Sequence, residues 1–387
     1  MKITTAEIHR ELPIVDLKAQ YNSLRDEITA SIADVLENGH FILGPNVAAL
    51  ERQIAEFCHS SFGIGVASGT DALILALRAA GVGQGDEVIV PAFSFVATAD
   101  AVSILGATLV FSDVDPLTLN IDVNHASSLV TDRTKSIIPV HLYGQPADMD
   151  AVRKLAEQHR LIVIEDCAQA LGASWKGQPV CSIGDYGCIS FFPTKNLGAY
   201  GDGGMITSRD KDSAEHLRVL RVHGSRKKYC HDEQGMNSRL DELQAAILRV
   251  KLPHLTRWNS DRRRVAGLYR KALAHLEDIV LPSESADAVH VYHQFTIRLQ
   301  GRDAAQAALR QAGIESVVYY PVPLHLQKMY GHLGYRKGSL PVAERAAAEV
   351  LSLPIFPEMT ESDVSYVAEC LEEIVAVEAR QSIRSRI

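Results

Sequence analysis

Lys195 stands between an apolar run and a glycine-rich stretch, in Phe191-Phe192-Pro193-Thr194-Lys195-Asn196-Leu197-Gly198 with Gly201-Asp202-Gly203-Gly204 close behind. Shielding from water lowers a lysine's pKa and makes its amine a nucleophile towards carbonyl carbon. Taken alone, such a lysine reads as an ordinary loop residue. Glu165 and Asp166 close the apolar run Leu161–Ile164. Two carboxylates finishing a buried strand need a cation, a metal or hydrogen bonds. A protonated heterocyclic nitrogen against Asp166 meets that need. The rival, a magnesium site, recruits further carboxylates and a phosphate-binding loop, and no GxxxxGK[ST] sequence occurs. Ser68-Gly69-Thr70-Asp71 opens a helix straight after a strand, as a plain N-cap or as a phosphate cradle of free N–H groups and hydroxyls. The three pieces together are what a pyridoxal phosphate site requires. The carboxylate keeps the ring nitrogen protonated, the lysine forms the Schiff base and the helix start holds the phosphate.

The elements that carry these residues follow from hydrophobic pattern. Between about 60 and 210, short apolar runs alternate with helical segments: Phe62–Ala67, Glu87–Val90, Thr108–Phe111, Ser136–Val140, Leu161–Ile164, Gly187–Phe192 and Met205–Thr207. Several are continuous, the sign of strands buried on both faces. Asp71–Ala80, stopped by Gly81, and Asp148–His159 have helical spacing. This alternation predicts an α/β fold with a mainly parallel sheet covered on both sides, its ligands held where loops leave the strands' carboxyl ends. Leu240–Leu252 reads as a long helix ending at Pro253. We place a large domain over 1–255, with an N-terminal helix, and a smaller α+β domain over 256–387. The smaller one has a strand at His293–Leu299, helices at Ala304–Ala312 and Val342–Leu351, and a proline-rich turn at Tyr320–Pro323.

Composition limits the partners. A net charge of −8 with no basic stripe argues against nucleic acid. The runs Arg226-Lys227-Lys228 and Arg262-Arg263-Arg264 read as solvated faces, although the first lies in a loop and could meet phosphate. Six cysteines without a CxxC pair suit neither a disulfide framework nor zinc, and no metal is expected. There is no apolar leader and no run of eighteen apolar residues, so a cytoplasmic protein without a membrane span is expected. Cys167 and His141 read as packed residues near the site.

With these residues in hand, the chain resembles the DegT/DnrJ/EryC1/StrS family of nucleotide-sugar aminotransferases, of the fold-type I, aspartate-aminotransferase-like architecture. The likeness runs from about Val15 to Pro357 through FILGPNVAALE, SGTDAL, GDEVIVPAFSFVATA, HLYGQPADMD, IEDCAQALGA, SFFPTKNLGAYGDGG, NSRLDELQAAILRVKL and YYPVPLHLQ. It implies that Lys195 carries pyridoxal 5'-phosphate and shuttles the proton, while Asp166 pairs with the pyridine nitrogen. Gln169 would lie by the phenolic oxygen and Phe95 would stack on the ring, a role that Phe93 could also fill. Gly69, Thr70 and Ser190 would bind the phosphate, with Asn237 reaching it from a neighbouring subunit in a homodimer with shared sites. Tyr319, Tyr320 and His325, with Lys228 and Arg239, would contact the sugar substrate.

The implied reaction moves an amino group from glutamate to a nucleotide-linked keto-sugar. HLYGQPADMD and KKYCHDEQGMNSRLDELQ are most similar to members that aminate carbon 3 of dTDP-3-keto-6-deoxyhexoses. A UDP-linked 3-keto-uronate is the alternative, its carboxylate calling on Arg239, Arg226 or Lys228. A non-catalytic pyridoxal-phosphate-binding regulator is the alternative of another class. Lys195 itself speaks against the dehydrating subset, in which histidine replaces that lysine.

Overall fold

The computed structural model describes residues 11–384. Helices α1 (Leu17–Asn38) and α2 (Pro45–Phe57) precede a seven-stranded sheet. Its strands are β1 (Phe62–Val66), β2 (Glu87–Pro91), β3 (Thr108–Ser112), β4 (Thr134–Ile137), β5 (Ile162–Asp166), β6 (Tyr186–Ser190) and β7 (Gly204–Ser208). The order across the sheet is β1-β7-β6-β5-β4-β2-β3. All neighbours are parallel except that β7 runs antiparallel to both β1 and β6. Every apolar run between 62 and 207 singled out in the sequence therefore becomes a strand of one sheet.

The connecting helices are α3 (Gly69–Ala79), α4 (Ala97–Ile104), α5 (Val123–Ser128), α6 (Met149–His159), α7 (Lys211–Leu220) and α8 (Glu242–Lys251). Successive strand residues point to opposite faces, and both faces are covered. Val88 and Val90 pack with Leu75 of α3, Ala101 of α4 and Leu217 of α7. Ile89 turns the other way and joins Ile137, Val163 and Ile189 against Leu50 of α2, Val152 of α6 and Leu248 of α8. Each such buried valine, leucine or isoleucine contributes about 1.5–3 kcal/mol. That double cover is why the strands read as unbroken apolar runs.

Helix α9 (Leu255–Leu273) starts with Leu255 in the sheet's core. It ends with Val265, Tyr269 and Leu273 in a second core, which also holds Phe295, Ile297, Leu351, Val367 and Leu371. Around that second core lie the antiparallel strands β8 (Ile279–Val280), β9 (Phe295–Leu299) and β10 (Val350–Leu353), with α10 (Arg302–Gln311) and α12 (Glu361–Arg384). Helix α11 (Pro341–Glu349) packs its alanines back on the first core. The helix expected to reach Leu351 stops at Glu349: Val350–Leu353 pairs with Phe295–Arg298 instead, and its two-residue alternation suits a sheet. No helix among the described residues is long and apolar enough to cross a membrane.

Candidate active site

The site forms at the carboxyl ends of β1, β5 and β6. Ser68 ends the turn after β1 and caps α3, its Oγ accepting the Asp71 N–H at 3.1 Å. The cap and the cradle coexist, because Ser68, Gly69 and Thr70 also line the cavity. A Cβ on Gly69 would lie 2.7 Å from Ser190 Cβ, so only glycine lets the start of α3 meet the end of β6. The result is a shallow cup of free N–H groups and hydroxyls at the positive end of a helix dipole, where an anion is favoured.

The two carboxylates of β5 face opposite ways. Glu165 accepts N–H groups from Ile183 at 2.8 Å, Gly184 at 2.9 Å and Cys181 at 3.3 Å. It also pairs at 3.0 Å with Nε2 of His141, whose Nδ1 accepts the Ala147 N–H. Glu165 is thereby satisfied within the protein. Asp166 faces the cavity, held by the Thr98 hydroxyl at 2.7 Å and the Ala168 N–H at 3.1 Å. That leaves it able to receive a ring N–H.

Lys195 sits on the loop between β6 and β7, in the cavity wall. Burial lowers its pKa to about 8 against the opposing pull of Asp166. A network beneath fixes the loop. Asn196 Nδ2 donates to Asn259 Oδ1 at 2.7 Å and Val291 O at 3.2 Å, so Asn196 Oδ1 is free to accept from His293 Nδ1 at 3.2 Å. Burial, reinforced by the charges of Lys195 and Arg262, holds His293 well below its usual pKa, so its ring is neutral. Lys251 completes the support by donating to Gly198 O at 2.7 Å.

Above the lysine, Gln169 is oriented by the Tyr143 N–H on its Oε1 at 2.6 Å, and its Nε2 donates to the Tyr320 hydroxyl at 3.1 Å. Burial raises the Tyr320 pKa, which keeps the phenol protonated. Of the two phenylalanines, Phe93 is packed at 1 % exposure and Phe95 is 53 % exposed on the cavity. Phe95 is thus the aromatic offered to a ligand.

One cavity of about 450 Å³ gathers Gly69, Thr70, Phe95, Asp166, Gln169, Ser190, Lys195, Tyr319 and Tyr320. Four expected residues are not brought into its wall. His325 is 1 % exposed, with its Nε2 on Glu344 of α11 at 3.1 Å. Asn237 is exposed and itself forms the isolated bridge to Val222, and Lys228 is exposed in the Ser225–His231 hairpin. Arg239 is half-buried nearby in the chain. The sequence reading missed Thr98, His293, Gln294 and Arg262. Arg262, read as part of a solvated run, is 4 % exposed, because the face of α9 that carries it turns into the protein.

The site fits pyridoxal phosphate: the cup that a Cβ at 69 would crowd suits a phosphate, a carboxylate is left for a ring nitrogen, and a lysine of lowered pKa lines the same cavity. Sheet order, strand-end site and second α+β core define a fold-type I pyridoxal-phosphate-dependent aminotransferase. The chain belongs to the DegT/DnrJ/EryC1/StrS aminotransferase family, whose model matches residues 22–372. It is 52% identical to a pleiotropic regulatory protein of Geobacillus stearothermophilus, over 94% of this chain and 98% of that one. It is 53% identical to a UDP-N-acetyl-3-dehydro-alpha-D-glucosamine 3-aminotransferase of Acidithiobacillus ferrooxidans, over 92% and 96%. Identity to a dTDP-3-amino-3,4,6-trideoxy-alpha-D-glucose transaminase of Streptomyces venezuelae is 45%, over 94% and 96%. Among solved structures, S. venezuelae DesV in complex with a ketimine intermediate superposes with a TM-score of 0.92 at 44% identity, covering 94% of this chain and 98% of that one. Bacillus subtilis ntda with bound cofactor PMP gives 0.88 at 33%, covering 96% and 86%.

Proposed function

We propose that this aminotransferase moves the amino group of glutamate to carbon 3 of a nucleotide-linked keto-sugar. The observation that carries the reading is the convergence of Lys195, Asp166 and the Ser68–Thr70 cup on one cavity. Pyridoxal phosphate, when bound, supplies an electron sink for the carbon that bears the transferred nitrogen. Ser68, Gly69, Thr70 and Ser190 would hold its phosphate, and Asp166 would keep its ring nitrogen protonated. Gln169 would reach its phenolic oxygen and Phe95 would cover one face. Lys195 Nζ would take the proton from the carbon that bears the transferred nitrogen and return it to the carbon on the other side of that nitrogen. A pKa of about 8 suits an amine that must act as base and then as acid near neutral pH.

Asn237, Lys228 and Arg239 stand outside this cavity's wall in their own chain. We read them as completing the site of a second copy, in a homodimer with shared sites, with the large domain over 1–255 and the small one over 256–387. For the acceptor, the dTDP-3-keto-6-deoxyhexose reading draws support from the S. venezuelae relative. A UDP-linked 3-keto-sugar draws support from the A. ferrooxidans relative, which is more similar in sequence. The regulator reading has the G. stearothermophilus relative behind it, and a lysine tuned for proton transfer weighs against it.

The test is the absorbance of the cofactor-loaded protein before and after adding glutamate, then each keto-sugar. A shift from the pyridoxal to the pyridoxamine band, reversed by one of the two nucleotide sugars, supports the reading and names the acceptor. A cofactor band that no amino donor moves would leave the regulator. Mixing inactive Lys195→Ala and Asn237→Ala proteins would regenerate activity in mixed dimers if the sites are shared.

A further inference from the structure

One wall of the cavity is left unused by the groups assigned to the cofactor. It is lined by Arg262, His293, Gln294 and Tyr319, with Ile14 and Ile355 supplying aliphatic surface. Nη1 of Arg262 is spread over three main-chain carbonyls, Ile355 O at 2.9 Å and Tyr292 O and His293 O at 3.3 Å. Its Nε is buried and has no hydrogen-bond partner. The other buried arginines are matched by acids: Arg221 pairs with Glu51, and Arg302 lies 2.6 Å from Asp303. Among the described residues no carboxylate comes within ion-pair distance of Arg262; Glu358 acts on it only through the longer-range pull of its charge and forms no ion pair with it. Carbonyl dipoles offset part of the cost of burying a guanidinium, but an anion offsets much more.

Gln294 beside it is buried too, and its Oε1 has no partner. Its amide also meets the Tyr319 hydroxyl. Turning the amide over keeps that contact, since a hydroxyl both donates and accepts, and puts an N–H where the unpartnered oxygen stands. His293 adds no charge, because its Nδ1–H is committed to Asn196 and its ring is neutral. The charged residues lining the cavity are Asp166, Asp202, Lys195 and Arg262. Once Lys195 carries the cofactor, Arg262 is the permanent cation that remains on this chain's wall.

We propose that Arg262, with Gln294 beside it, receives a carboxylate of the amino donor. This rests on the aminotransferase reading above and adds the residues that select an acidic donor. The aliphatic lining suits the methylene chain of a short dicarboxylate better than a nucleotide.

The experiment titrates glutarate, which binds as a dicarboxylate but cannot react, and separately UDP and dTDP, into the cofactor-loaded wild type, Arg262→Lys and Gln294→Leu, read by calorimetry. Wild type is expected to bind glutarate, and each variant to bind it roughly tenfold more weakly or worse, with nucleotide affinity unchanged. Glutarate binding that is absent from the wild type or equal in the variants overturns the proposal. So does a loss that falls on the nucleotides instead. Arg262→Lys also disturbs three carbonyls, so Gln294→Leu, which touches none of them, keeps the test open if the first variant does not fold. Failure of the aminotransferase reading shows separately, as a wild type that no amino donor converts, because glutarate binding needs no turnover.

Discussion

Thr98 donates its hydroxyl hydrogen to Asp166 Oδ2 across 2.7 Å, and both side chains are buried. The threonine comes from the first turn of α4 and the aspartate from the end of β5, so two elements that are far apart in sequence fix one carboxylate. With Oδ1 on the Ala168 N–H, Asp166 cannot rotate away from the cavity. Thr98→Val keeps the shape and removes the donor. We expect cofactor affinity, followed by absorbance on titration, to fall about tenfold, in line with the roughly 1.5–3 kcal/mol of a hydrogen bond to a charged group. Thr98→Ser should restore it.

The contact between Gly69 and Ser190 gives a prediction with a built-in rescue. Gly69→Ala places its Cβ 2.7 Å from Ser190 Cβ, and overpacking of this kind costs about 1–3 kcal/mol. Cofactor binding should weaken accordingly. Ser190→Gly alone should also weaken it, by removing a hydroxyl from the cup. The double variant should bind more tightly than Gly69→Ala, an interaction of opposite sign to simple addition.

Stability towards acid should depend on His290. Burial, and then the charges of Arg263 and Arg270, hold its pKa well below the ordinary value of 6.5. Below that pH the unfolded chain takes up a proton that the folded chain refuses. Stability is therefore lost as pH falls through about 6.5, at up to about 1.4 kcal/mol per pH unit for one proton. Urea unfolding of His290→Asn between pH 7 and 5 should show a shallower decline than the wild type, with His293 still contributing its own share.

Glu242 closes the open end of another helix. Its carboxylate accepts the N–H groups of Gly44 and Val47, each at 3.0 Å, and that of Asn46 at the start of α2. Glu242→Ala leaves those donors buried without a partner and removes an anion from a positive helix end. We expect about 2–4 kcal/mol of lost stability from a shifted denaturant midpoint. Glu242→Gln should lose less.

The sheet was legible because strands buried on both faces have to be apolar throughout, and runs such as LIVI leave no other reading. Lys195 and Asp166 were legible for the opposite reason, as charged residues at places where burial makes charge expensive. Thr98 carried no such mark, since a hydroxyl in a first helical turn reads as ordinary. Arg262-Arg263-Arg264 misled as a run. Consecutive helix residues point about 100° apart, so Arg262 turns inward while the side chains of Arg263 and Arg264 stay 39% and 47% exposed. Val350–Leu353 misled because its strand pairing is set by Phe295–Arg298, more than fifty residues earlier.

The antiparallel strand β7 between β1 and β6 also sets a schedule for the newly made chain. Phe62–Val66 has its partner only in Gly204–Ser208, so β1 stays an unpaired edge until that segment has left the ribosome. The cup after β1 and the loop of Lys195 are brought to their final spacing by the same pairing. Synthesis must therefore pass Ser208 before the cup and the loop of Lys195 can face one another across one cavity. Pairings of such long sequence separation are slow to close, which makes the interval before that point the one in which the nascent chain depends most on protection from aggregation.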